Sequence, residues 1–162
     1  MSESFSHGTI ELPYRPGVGA VIVNKSNKIF AGQRIDTLYR AWQMPQGGIN
    51  QGESPINALK RELVEEIGTR NLRVIDQVDR WLYYDLPKDV IPKIWSGRFK
   101  GQKQKWFILR FIGEDKEINI KTKKPEFGAW RWMSKNELLK SIVSFKRELY
   151  KNIFQEFDSI LN

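Results

Sequence analysis

The chain has 162 residues and a formal net charge of +8, with no cysteine and a single histidine, His7. This length suits one domain with a sizeable core, and no linker, repeat or low-complexity tract divides the sequence. The lack of cysteine excludes disulfides and thiolate metal sites, and a lone histidine in a polar segment is typical of a solvated side chain rather than of a zinc site.

The first seven residues, Met-Ser-Glu-Ser-Phe-Ser-His, lack the basic and then apolar order of a signal peptide, and no apolar run is long enough to span a membrane. We therefore expect a soluble, cytoplasmic protein in which residues 1–13 form a tail and residues 14–162 form one domain. A sequence pI near 9.7 favours a polyanionic substrate. Many soluble proteins are basic for no specific reason, so the charge supports this inference only alongside a motif.

Two short aliphatic runs, residues 18–23 and 29–34, predict a β-hairpin around Asn24-Lys25-Ser26-Asn27. The next predicted element is a helix of about three turns, with Ser54 as its cap, Pro55 at its first position and Gly68 at its left-handed end. Its apolar stripe consists of Ile56, Leu59, Leu63 and Ile67.

Further strands are predicted at residues 72–78, 106–112 and 129–133, and the second of these is so apolar that we expect it to be central. Ser134 and Glu137 have the spacing of a capping box, and helical spacing of apolar residues then continues to Ile160. The expected fold class is therefore α/β (α+β), a mixed curved sheet with helices on both sides.

The most specific motif lies between Gly47 and Gly68, where glycines and acidic residues occur at fixed spacing. Three glutamates fall at i, i+3 and i+4 of the predicted helix, so like charges repel unless a cation lies among them, and hard divalent ions prefer oxygen ligands. Taken alone, such a cluster is usually an exposed acidic patch. The flanking glycines favour a metal site instead, with Arg61 placed to hold Glu53. The motif residues are Gly47, Glu53, Arg61, Glu62, Glu65, Glu66 and Gly68.

This motif resembles the Nudix box, the signature of hydrolases that cleave nucleoside diphosphates linked to another moiety. One position departs from the pattern, because Thr69 stands where an aliphatic residue is usual, but no ligand is lost. Other segments are similar to those of bacterial RNA pyrophosphohydrolases, which in turn are similar to dinucleoside polyphosphate hydrolases. These segments are residues 14–19, 42–50, 101–107, 125–132 and 143–147.

The resemblance implies a Nudix α/β/α sandwich and a magnesium or manganese cofactor. It also implies that Glu126 joins Glu62, Glu65 and Glu66 as metal ligands, with a backbone carbonyl of Gln46 or Gly47. On the substrate side it implies that a base lies between Arg34 and Phe145, that Lys146 binds a phosphate, and that Lys103 or Lys105 binds an anion. A core position remains the alternative for Phe145, and core or stacking roles remain open for Trp81, Tyr83 and Tyr84.

The expected activity is hydrolysis of a 5′-triphosphorylated or diphosphorylated RNA end to a 5′-monophosphate, which promotes mRNA decay. Glu65 is the expected base, with Arg61 and Glu53 supporting it and Glu126 as the alternative base. We expect the 5′ end of single-stranded RNA or a nucleoside polyphosphate as partner, and no stable protein partner. The alternatives are a diadenosine tetraphosphate hydrolase and an RNA-binding module on an inactive scaffold.

Overall fold

In the computed structural model, which describes residues 11–36 and 40–162, four strands precede the first α-helix, four more follow it, and three α-helices end the chain. The predicted tail lies largely outside the described residues, as does His7. The strands are β1 (Tyr14–Val23), β2 (Ile29–Arg34), β3 (Trp42–Gln43), β4 (Gln46–Gly48), β5 (Leu72–Gln77), β6 (Leu82–Asp85), β7 (Gly101–Phe111) and β8 (Phe127–Met133). The helices are α1 (Pro55–Ile67), α2 (Lys135–Ser141), α3 (Arg147–Glu156) and α4 (Asp158–Leu161).

These strands form one mixed sheet in which β3, β2, β1, β7 and β5 lie side by side. Among the strands of residues 11–36 and 40–162, only β1 and β7 are parallel, and both are long and largely buried because they occupy the middle of the sheet. The start of β1 pairs with β4, whereas its end pairs with β2. This arrangement brings the glycine-rich segment before α1 directly alongside the central strand.

Successive side chains of β1 point to opposite faces of the sheet, as the strand geometry requires. Val18, Ala20 and Ile22 pack under α1, in a cluster that we call the α1 core. Val21 and Val23 pack under α2 and α3, in a cluster that we call the α3 core. The predicted sandwich with helices on both faces is therefore confirmed.

The predicted ends of α1 are also confirmed. The Ser54 hydroxyl accepts a hydrogen bond from the amide of Asn57 at 3.3 Å, Pro55 follows, and Gly68 has a left-handed φ of 70°. Likewise, the capping box of Ser134 and Glu137 begins α2. Both sets of signals depend on hydrogen bonds between residues close in sequence, which is why they can be recognised without tertiary information.

Several predicted boundaries were wrong, among them the starts of β1 and β8, which lie at Tyr14 and Phe127 instead of residues 18 and 129. The central strand β7 begins at Gly101, five residues before the predicted start at Trp106, because Gln102 and Gln104 are fully buried in the sheet despite their polarity. The helical pattern after Leu149 does not run unbroken to Ile160, because α3 ends at Glu156 and the short helix α4 begins at Asp158. Each helix within residues 11–36 and 40–162 is too short or too polar to cross a lipid bilayer.

Candidate active site

Arg61 is the organising side chain of the acidic cluster on α1. Its guanidinium donates twice to Glu53 at 2.9 Å, once to the Gly48 carbonyl at 2.8 Å and once to Glu62 at 2.7 Å. A weaker contact of 3.4 Å reaches Glu65 one turn further along the helix. The pairing with Arg61 lowers the pKa of Glu53 to about 2. Arg61 thus joins the helix to the glycine-rich loop, as the sequence analysis anticipated for the pair with Glu53.

Glu66 is buried, with only 2% of its surface exposed. Neither carboxylate oxygen has a hydrogen-bond partner within the described part of the chain. Burial raises the pKa of Glu66 well above its ordinary value, and the nearby charges of Glu126 and Glu62 raise it further. Burying a charged carboxylate without hydrogen-bond partners costs free energy unless the group is protonated or contacts a cation. A cation bound at Glu66 would therefore be stabilising.

The backbone at Gly47 lies against the carboxylate of Glu62. A Cβ atom added at Gly47 would stand 2.0 Å from Cδ of Glu62, so only glycine fits here. Burial raises the pKa of Glu62 even though Arg61 contacts it. The loop backbone and a second desolvated carboxylate therefore meet beside Glu66.

The carboxylate oxygens of this cluster suit a hard divalent cation, but within the described residues they are not arranged as a complete metal site. The charge of Glu126 raises the pKa of both Glu62 and Glu66. The Glu65 side chain is 52% exposed and contacts Arg61, and its charge also raises the pKa of Glu62. Among residues 11–36 and 40–162, no three acidic or histidine side chains are already arranged as a metal site. The oxygen donors and the unpartnered Glu66 fit a hard divalent cation.

Two basic side chains, Arg34 and Lys146, lie near this acidic group. Lys146 is 6% exposed, and burial followed by repulsion from Arg34 lowers its pKa to about 7. Its ammonium group lies 5.2 Å from the ring centre of Tyr84. Arg34 makes a two-pronged ion pair with Asp36, at 2.8 and 2.6 Å. The charges of Glu126 and Glu66 act on Lys146, so acidic and basic groups lie close together, an arrangement that suits a polyphosphate bound with metal ions.

Arg34 and Lys146 line a cavity of about 400 Å³. Phe145 is half-buried there, packs against the α3 core and lies 6.0 Å from the Tyr84 ring. The cavity therefore brings together most residues that the sequence analysis assigned to the substrate. Its principal lining residues are Arg34, Gln46, Tyr84, Trp95, Phe145 and Lys146.

Lys103 and Lys105 are not part of this cavity lining. Both ammonium groups instead lie 4.9 Å from the Trp81 ring, on the opposite face of β7 from Gln102 and Gln104. The alternation of glutamine and lysine correctly indicated two faces. It is the glutamines, however, that lie towards the cavity.

A buried polar network was missed by the sequence analysis. Gln104 donates to Gln102 and to Gln46 at 3.0 Å each, and the Tyr84 hydroxyl donates to Gln102 at 2.8 Å. Trp106 donates to Gln104 at 2.9 Å. The network fixes the cavity side chains Gln46 and Tyr84 in place. The only sequence signal for it was two glutamines in a strand pattern.

Arg15 was also missed. It follows Tyr14 in β1, and a Cβ atom at Gly48 would stand 2.2 Å from one of its terminal nitrogens. Its guanidinium lies 5.2 Å from the Trp95 ring centre, and burial lowers its pKa. Arg15 therefore adds a desolvated positive charge between the glycine-rich loop and the cavity.

Comparison with known proteins gives a consistent result. The NUDIX domain model matches residues 13–153. An RNA pyrophosphohydrolase of Rickettsia canadensis is 55% identical over 152 residues, covering 94% of each chain. One of Rickettsia typhi is 53% identical over 156 residues, covering 96% of this chain and 97% of the relative.

Solved structures with the same fold are more distant in sequence. The E. coli dihydroneopterin triphosphate pyrophosphohydrolase superimposes with a TM-score of 0.65 at 19% identity, covering 86% of this chain and 96% of the other. A C. elegans Ap4A hydrolase gives 0.63 at 16% identity, covering 89% and 99%. The family match over nearly the whole chain, together with the geometry of the α1 carboxylates, shows that this chain belongs to the NUDIX family.

Proposed function

We propose that the protein is a metal-dependent RNA 5′-pyrophosphohydrolase. It would convert a triphosphorylated or diphosphorylated RNA end to a 5′-monophosphate and release pyrophosphate or phosphate. The observation that carries the proposal is that the buried, unpartnered carboxylate of Glu66 lies close enough to the buried ammonium group of Lys146 for its charge to act on it. The names of the rickettsial relatives support RNA as the substrate.

The residues that would hold magnesium or manganese are Glu62, Glu65, Glu66 and Glu126, with a backbone carbonyl of Gln46 or Gly47. A divalent ion held there would supply charge neutralisation at the phosphate oxygens and would lower the pKa of a bound water. Within the protein, Arg61 orients Glu53 and Glu62. Glu65 is the proposed base because its side chain is 52% exposed and its contact with Arg61 is long, at 3.4 Å, and Glu126 is the alternative.

The cavity lined by Arg34, Phe145 and Lys146 would bind the substrate. Lys146 and Arg15 supply positive charge for the phosphates. Arg34 keeps its planar face available for a base although its donors engage Asp36, and Phe145 offers an aromatic face in the same cavity. A base held between these two planes would fix the 5′ end relative to the carboxylates. We place this reaction in the cytoplasm, in mRNA decay, and without a stable protein partner.

A second candidate is hydrolysis of dinucleoside polyphosphates. The observation in its favour is that Trp95 lines the same cavity as Phe145, which offers stacking surfaces for two bases joined by a polyphosphate. A third reading, an RNA-binding module on an inactive scaffold, is disfavoured because the charge repulsion among the α1 glutamates would serve no purpose in it.

The two enzymatic candidates differ in the measured kcat/KM for each substrate. We expect the purified protein to hydrolyse a 5′-triphosphorylated RNA with a higher kcat/KM than diadenosine tetraphosphate at equal magnesium. A higher value for the dinucleotide would overturn the assignment to RNA. Binding of both substrates without turnover of either would favour the inactive scaffold.

A further inference from the structure

A second group of aromatic and basic side chains lies outside the cavity, on the face of β6 and β7 opposite to the buried glutamines. Strand alternation separates the two sites, because Tyr84 points into the cavity whereas its neighbour Tyr83 points away from it. We call this surface the lysine–aromatic face. It consists of Tyr14, Trp81, Tyr83, Lys100, Lys103 and Lys105.

The aromatic residues of this face have no evident role in the core. Tyr84 is buried in the α3 core, but Trp81 and Tyr83 belong to neither core cluster, and Tyr83 is 50% exposed. Tyr14 contacts the Tyr83 ring edge-on at 4.9 Å. Exposed aromatic side chains grouped in this way commonly mark a binding surface.

The basic residues lie directly over these rings. Lys103 and Lys105 each stand 4.9 Å from the Trp81 ring, and Lys100 stands 4.6 Å from that of Tyr14. Lys100 pairs with Glu11, and Lys105 donates to the backbone carbonyl of Asp79. In the described ranges, neither Lys103 nor Lys105 forms an ion pair with a carboxylate. Their charge is therefore available to an external anion.

The position of this face relates it to the active site. Among the described strands, β6 pairs with β7 alone, so it forms an edge, with the cavity on one side and the lysine–aromatic face on the other. A chain whose 5′ end lies in the cavity needs to cross only this strand to reach Trp81 and Tyr83. Bases can stack on exposed rings while lysines contact the phosphates, which is how single strands are bound without sequence preference.

We propose that the lysine–aromatic face binds nucleotides of single-stranded RNA downstream of the 5′ end. The inference rests on the proposed function and adds that the length of the RNA affects how well it is bound. Lys103 and Lys105 then act on backbone phosphates of the RNA and not on the 5′-triphosphate. A longer RNA is accordingly a better substrate than a dinucleotide with the same triphosphate.

The test compares kcat/KM for 5′-triphosphorylated RNAs of two and of about ten nucleotides, a length within the usual range of single-strand sites. The variants are the double substitution Lys103→Ala with Lys105→Ala, and Trp81→Ala. Lys25→Ala with Lys28→Ala, in the turn between β1 and β2, is the charge-matched control. Tyr83→Ala replaces Trp81→Ala if the latter lowers the melting temperature.

We expect both test variants to lose at least about fivefold in kcat/KM on the long RNA and less than about twofold on the dinucleotide. The control should leave both values unchanged. For the double lysine variant, the salt dependence of binding to a 5′-monophosphorylated RNA of the same length, measured by fluorescence anisotropy, should weaken by about 0.7 in log–log slope per lysine removed.

Three results would overturn the inference. Equal losses on both RNAs would place these lysines at the 5′ end. Unchanged values on both would show that the face does not bind RNA and would leave it as a surface for a protein partner. If the unmodified protein hydrolysed neither RNA, the proposed function itself would be wrong, whereas unchanged turnover in the variants alone would refute only the extended binding site.

Discussion

Arg61 donates to both carboxylate oxygens of Glu53, from Nε to Oε2 and from Nη2 to Oε1, at 2.9 Å each. The pair closes the glycine-rich loop onto α1, and the same guanidinium continues to Glu62. Because the loop backbone at Gly47 touches Glu62, the orientation of one proposed metal ligand depends on this ion pair. Arg61 and Glu53 therefore support the site without needing to contact substrate.

The ion pair predicts a specific pH dependence of stability. The pKa of Glu53 is about 2 in the folded protein, below the ordinary value of 4.5, chiefly because Arg61 donates to it. Its contribution is therefore fully present above pH 4.5 and is lost as the pH falls towards 2. We expect Glu53→Gln to lower the melting temperature at neutral pH, with a difference from the unmodified protein that shrinks across this window. Glu148→Gln, on the exposed side of α3, is the control, and a difference that stays constant with pH would contradict the prediction.

Gly47→Ala tests the close approach of the loop to Glu62. An added Cβ would stand 2.0 Å from Cδ of Glu62, so either the loop or the carboxylate has to move. We expect a loss of stability of about 1 to 3 kcal/mol, typical of overpacking, and at least about a 100-fold loss of kcat. Gly128→Ala is the matched control, because its new Cβ would meet only Ile35, at 3.5 Å. Equal activity in the two variants would show that the loop position does not matter for turnover.

Phe145→Ala separates stacking from packing. Phe145 is half-buried against the α3 core, so a pure stacking role with no effect on stability is no longer expected. We expect a loss of about 1 to 2 kcal/mol in the free energy of unfolding, less than for a fully buried phenylalanine. Binding of triphosphorylated RNA should weaken by a further 1 to 3 kcal/mol, roughly the value of one stacked base. A large loss of stability with unchanged RNA affinity would assign Phe145 to the core alone.

Glu66→Gln tests the buried carboxylate. Its oxygens have no partner among the described residues, and burial already disfavours the charged form, so a neutral amide of the same shape should fit. We expect a melting temperature in metal-free buffer no lower than that of the unmodified protein, and at least about a 100-fold loss of kcat with magnesium. Normal turnover by the well-folded variant would remove Glu66 from the site.

The parts of this site that could be predicted from the sequence are those that depend on neighbouring residues. The caps of α1 and the pairing of Arg61 with Glu53 involve residues at most eight positions apart. Helical spacing placed Glu66 near Glu62, but it gave no indication that Glu66 is buried and Glu65 exposed. That difference depends on how α1 packs on the sheet, and on Glu126 and Lys146, which come from distant segments.

The lysine–aromatic face shows the same limit. A period of two in residues 102–105 indicates that glutamines and lysines point to opposite sides of a strand, but it does not indicate which side carries the cavity. That choice depends on the partners of the glutamines, Gln46 and Tyr84, which are distant in the chain. The family resemblance implied anion binding by Lys103 or Lys105, and the structure places both ammonium groups beside Trp81.

We propose that the protein hydrolyses a triphosphorylated RNA end in a metal-dependent reaction at the carboxylates of α1. The most direct measurement is the release of pyrophosphate or phosphate, and the appearance of a 5′-monophosphate end, with magnesium present and again after chelation. We predict turnover with magnesium, its loss on chelation, and its recovery when magnesium or manganese is restored. Undiminished formation of the monophosphate end in metal-free buffer would contradict the account.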